Sequence, residues 1–124
     1  MRTQGSGRPL TERERAVLVA MIERGVDDDD PPSEEDRQRW LAQVPEVRVV
    51  GGCRCGTCPS LELRPTGTPE TDPWETQVVL EAGADGALLL LFVHDDRLSE
   101  LELAPVGDRT FEQLPDVEQM TFYR

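Results

Sequence analysis

The spacing of apolar positions changes near the middle of this chain. Val17, Leu18, Met21 and Ile22, and later Trp40, Leu41 and Val44, recur at helical spacing. Beyond Val47 the period falls to two. Leu61 and Leu63 alternate with Glu62 and Arg64, and Leu101 and Leu103 alternate with Glu100 and Glu102. Trp74, Thr76, Val78 and Leu80 also sit at every second position. Two faces of opposite character on one extended segment are the mark of a strand.

The boundaries follow from local chemistry. Thr11 and Glu14 form a capping box for a first helix, and Gly25 is its expected stop. Asp27 to Asp30 then precede Pro31 and Pro32, an acidic loop extended by its own repulsion. Ser33 caps a second helix, with Glu34, Glu35 and Asp36 where the helix dipole favours anions, and Pro45 ends it.

Strands are predicted at Val47–Val50, Leu61–Arg64, Trp74–Leu80 and Leu101–Leu103. The run Ala87–Val93 is apolar without interruption, which predicts a central strand covered on both faces. Gly83–Gly86 and His94–Arg97 read as turns, residues 65–73 with three prolines as a loop, and Pro115–Met120 as a short helix or irregular tail. Residues 1–9 read as a disordered tail before a single domain over 10–124. Short links favour an antiparallel meander. The expected fold is therefore α+β: two N-terminal helices on one face of a meander sheet of about five strands.

Composition narrows the function. The formal net charge is −12. Such a chain repels phosphate, which argues against nucleic acid and anionic membrane as partners. It suits a basic protein partner instead. The longest apolar run, Ala87–Val93, is far short of the ~20 residues of a membrane helix. No apolar segment follows the N-terminal methionine, so the expectation is a cytoplasmic protein with reduced thiols. The basic residues are all arginine, the chain has no lysine or asparagine, and Ile22 is its one isoleucine. A high-GC genome is the simplest expected source of that bias, with halophilic adaptation, which also trades lysine for acid, as the rival reading.

The strongest chemical signal is Cys53, Cys55 and Cys58 in Gly51-Gly52-Cys53-Arg54-Cys55-Gly56-Thr57-Cys58-Pro59. Three thiolates from one turn suit Zn²⁺, which takes four tetrahedral N or S ligands. The fourth would be His94, the chain's one histidine, or Asp95, Asp96 or water. In a meander the cysteine turn and the His94 turn share one end of the sheet, about 10 Å apart. The competing reading is a glycine-rich hairpin whose cysteines pack as small hydrophobes. A redox C-x-x-C at Cys55–Cys58 is a weaker alternative, because a strand rather than a helix is predicted to follow it. His94 with Asp95 and Asp96 suggests acid–base work, but no nucleophile can be placed beside it.

Leu10-Thr11-Glu12-Arg13-Glu14-Arg15-Ala16-Val17-Leu18 resembles the first helix of LuxR-type helix-turn-helix domains. The chain departs from that family at once. Asp27–Asp30 and Pro31-Pro32 stand where the recognition helix would follow, so the resemblance implies only a capped amphipathic helix. The cysteine hairpin and Leu91–Glu102 make the chain resemble small high-GC actinobacterial proteins with a CxCxxC hairpin, which implies no activity.

The expectation from sequence is a non-enzymatic interaction or regulatory protein with an acidic surface, of immunity or accessory type. A zinc-binding module and a thiol redox enzyme are the alternatives.

Overall fold

The fold is given by a computed structural model that describes residues 7–27, 31–52, 60–65, 75–107, 111 and 113–122. Cys53, Cys55, Cys58, Asp28–Asp30 and Trp74 lie outside the described residues.

Helix α1 (Glu12–Arg24) is capped as its sequence demands. The Thr11 hydroxyl accepts from the Glu14 N–H at 3.1 Å, and the Glu14 carboxylate accepts from the Thr11 N–H at 2.9 Å. Gly25 ends it, though not by a left-handed turn: its φ is −61°. A Cβ there would lie 2.5 Å from the Met21 carbonyl oxygen and 2.9 Å from the Leu80 Cβ, so close approach requires the glycine. Helix α2 (Glu34–Gln43) carries the equivalent box, Ser33 with Asp36. A 3-10 turn over Val44–Glu46 holds Pro45 and leads into the sheet. Arg37 of α2 donates to the carbonyls of Ile22 at 2.7 Å and Gly25 at 3.1 Å. It thereby satisfies carbonyls that the end of α1 leaves open.

The strands are β1 (Arg8–Pro9), β2 (Val47–Gly52), β3 (Leu61–Pro65), β4 (Gln77–Ala84), β5 (Ala87–His94), β6 (Arg97–Pro105) and β7 (Met120–Thr121). They form one antiparallel sheet in the order β1-β2-β3-β6-β5-β4-β7. This corrects the meander. Only β4-β5-β6 is one; β3 pairs with β6, so the link from Pro65 to Gln77 crosses over two strands. That link is the longest between consecutive strands of the run β2 to β6, so the short-link argument fails there. The sheet also has seven strands rather than about five. The two extra ones are two residues each, too short to show a period. Arg8 and Pro9, expected in a disordered tail, pair with Val49 and Arg48.

The core joins alternate strand positions to the apolar sides of the helices. Val17, Leu18, Met21, Ile22 and Trp40 belong to one buried cluster with Leu80, Leu89, Leu91, Leu101 and Leu103. β5 is interior, flanked by β6 and β4, but it is not covered on both faces. Ala87, Leu89, Leu91 and Val93 are buried, while Leu88, Leu90, Phe92 and His94 are half-buried. An all-apolar run hides its two faces from a periodicity argument. No helix among the described residues is long and apolar enough to cross a membrane.

Candidate functional site

The half-buried positions of β5 lie on the second face of the sheet, with their cross-strand partners. Directly paired residues share a face. Phe92 pairs with Val79 of β4 and Glu100 of β6. Leu90 pairs with Glu81 and Glu102, and Leu88 with Gly83 and Ala104. Glu100 in turn pairs with Glu62 of β3. The result is an apolar strip, Leu88, Leu90, Phe92 and Val79, bordered by Glu81 on one side and Glu62, Glu100 and Glu102 on the other.

The carboxylates crowd one another. Burial first, then Glu102 and Glu62, push the Glu100 carboxyl above its ordinary range. Among the described residues no arginine forms an ion pair with any of the four glutamates. Gly51 makes room for this arrangement. A Cβ there would lie 2.6 Å from the Glu62 carboxylate oxygen.

His94 sits at the end of this face. Its Nε2 is 2.8 Å from the Gln77 Oε1 and its Nδ1 is 3.0 Å from the Ser99 Oγ. The amide oxygen only accepts, so Nε2 carries the proton and Nδ1 accepts from the serine hydroxyl. A β-bulge makes this possible: Phe92 pairs with Glu100 but Val93 with Leu98, leaving Ser99 as the extra residue. Such an insertion re-aims a side chain. It supplies the serine neighbour that sequence spacing did not reveal. The trio is not an activated nucleophile. Gln77 is neutral and offers an imidazolium no countercharge, and burial pushes the His94 imidazole below its ordinary value despite the pull of Asp95.

Asp95 and Asp96 hold structure together. Both have positive φ, 51° and 67°, forming the tight β5–β6 turn. Aspartate tolerates that region better than most residues. Asp95 Oδ1 accepts from the N–H of Thr76 at 2.9 Å and of Glu75 at 3.0 Å, which keeps its carboxyl below the usual carboxylate range. Asp96 accepts from the Trp40 indole at 2.7 Å and from Arg39 at 2.8 and 3.0 Å. Gln43 brackets the same turn, donating to the Asp96 carbonyl at 2.8 Å and accepting from the Leu98 N–H at 2.9 Å.

The expectation that linked His94 to the cysteines assumed a meander throughout, which the strand order does not follow. Gly52 and Ser60 bracket residues 53–59, and the buried Ser60 hydroxyl accepts from the Leu103 N–H at 3.0 Å. Leu103 pairs with Leu89. His94 lies five residues further along β5, about 17 Å away, at the opposite end of the sheet. Ser60, which adjoins the cysteine stretch, is therefore anchored well away from His94, while Cys53, Cys55 and Cys58 themselves lie outside the described residues. Among the described residues no group of three or more His, Cys, Asp and Glu is placed to hold a metal ion.

An open cavity of about 920 Å³ lies between the start of α1 and the β2–β3 end of the sheet, lined by Arg8, Glu14, Val50, Ser60 and Leu114 among others. Of its lining, Arg8 pairs with Glu14 at 2.8 Å, and Arg13 pairs with Asp116 at 2.7 Å. Comparison with family models, curated proteins and solved structures finds no match.

Proposed function

We propose that this protein is a non-enzymatic interaction module that binds a basic protein partner, in the manner of an accessory or immunity-type factor. One observation carries the reading: an apolar strip on the sheet surface bordered by four glutamates without an ion-pair partner among the described residues. The Glu100 carboxylate, crowded by Glu62 and Glu102 and partly desolvated, costs stability in the free protein. A cationic partner would offset that cost, and the apolar strip would supply contact area. Net charge of −12 would also speed the encounter.

The test is association with a panel of basic, neutral and acidic proteins at several ionic strengths. Binding of basic proteins should weaken steeply with salt, and should be lost when Glu62, Glu81, Glu100 and Glu102 are all changed to glutamine. Association confined to neutral or acidic proteins, indifferent to salt, would refute the proposal.

A further inference from the structure

We infer that the partner segment is an amphipathic basic helix, laid along β5 with its apolar side on Leu88, Leu90 and Phe92. This rests on the reading of the acidic face just given, and adds the shape of what binds there.

The dimensions select a helix. β4 and β6 flank β5 at about 4.8 Å each, so Glu81 stands about 10 Å from the Glu100 and Glu102 row. That is close to the 10–12 Å width of a helix with its side chains. Leu88 to Phe92 spans four residues of strand, about 13.6 Å, or some two and a half helical turns. A helix over β5 would place apolar residues on the strip and cations on both flanks, each opposite a carboxylate. This is the helix-in-groove mode of recognition.

Strand addition at a sheet edge is disfavoured. β1 offers two residues and one is Pro9, which has no N–H to donate. The outer edge of β4 is partly occupied: Val26 exchanges both backbone hydrogen bonds with Glu81, and Thr121 and Met120 pair with Gly83 and Ala84. Short or blocked edges do not template another strand.

Charge disfavours two nearer occupants. A second copy would bring the same glutamates against themselves. Residues 66–74, in the link from β3 to β4, carry Glu70 and Asp72 and no cation. The occupant that complements the face is a basic segment of another protein.

The probe is a synthetic peptide of about 18 residues, long enough to hold a helix, with leucines on one side and arginines along both flanks. A scrambled peptide of identical composition is its control. Binding is read by fluorescence anisotropy, and the site by amide shifts on the full chain. The amphipathic peptide should bind about tenfold tighter than the scramble, with shifts on β4, β5 and β6. Leu90→Ser should weaken it about tenfold, as should Glu100→Gln with Glu102→Gln, which leaves the strip intact. Glu34→Gln with Glu35→Gln, on α2, should change nothing. Equal affinity for both peptides, insensitive to Leu90→Ser, overturns the helical dock and leaves the acidic-face reading standing. No binding of either peptide at low salt overturns both.

Discussion

The Trp40 indole donates to Asp96 at 2.7 Å, joining a helix to a β-turn 56 positions away in the chain. Trp40 is 2% exposed, so its N–H needs a partner within the protein. The turn needs support too, because two consecutive aspartates hold positive φ. Each element thus satisfies a demand the other makes, and Arg39 and Gln43 of the same helix complete the clamp.

Removing the indole N–H should be costly. Trp40→Phe loses one hydrogen bond and opens a small void, and should destabilise by about 1.5–3 kcal/mol. Asp96→Asn keeps the turn geometry and one acceptor, and should lose about 1 kcal/mol. Denaturant melts measure both. A negligible loss for Trp40→Phe would show that the contact is incidental. Arg39, then Trp40, hold the folded Asp96 pKa below its unfolded value. This part of the stability is therefore present above about pH 4 and fades as pH falls through the folded pKa.

The two faces of β5 should respond differently to truncation. Leu91 is 0% exposed, and Leu91→Ala should cost about 2–5 kcal/mol. Leu90→Ala, one position along and on the other face, should cost about 1 kcal/mol or less. Equal losses would mean that the second face is as closed as the first.

Glu100 should destabilise the free protein. Its folded pKa is raised, so the unfolded chain gives up that proton first as pH rises. The penalty is absent below the unfolded pKa of about 4.3 and complete above the folded one. Glu100→Gln should therefore raise stability at neutral pH by about half a kcal/mol, discounted for solvent screening. The gain should vanish in acid. A loss at neutral pH would show that the carboxylate has a favourable partner.

His94 should titrate below its ordinary value of about 6.5. A group with a lowered folded pKa adds stability above the unfolded value, and that stability fades as pH falls toward the folded one. Ser99→Ala removes a donor that favours the neutral ring, and should move the titration back up. Proton NMR of the imidazole reads both. An unchanged pKa in Ser99→Ala would mean that the hydroxyl points elsewhere.

Any metal held by Cys53, Cys55 and Cys58 should be independent of His94. Elemental analysis should give the same metal content for His94→Ala as for the parent chain, because Ser60, which adjoins the cysteine stretch, is held at Leu103, opposite Leu89 and five strand residues from His94. Metal lost from His94→Ala and retained in Gln77→Ala would contradict the register argued above.

The chain alone determined what depends on near neighbours. The capping box at Thr11–Glu14, the cap at Ser33, the apolar sides of both helices and the alternation at Leu61–Leu63 and Leu101–Leu103 are periodic and local, so they can be read from spacing. The acidic row of Glu100 and Glu102 was legible for the same reason. Tertiary structure decided the rest. Whether β3 meets β4 or β6 depends on how a long link closes, and no local pattern encodes it. That choice set Glu62 beside Glu100 and Ser60 beside Leu103, away from His94. Likewise, the one-residue bulge at Ser99 answers to strand register, and Asp96 finds Trp40 only once α2 packs against the turn. Pairing between distant segments is settled by the collective burial of the core, and a sequence read position by position contains no record of it.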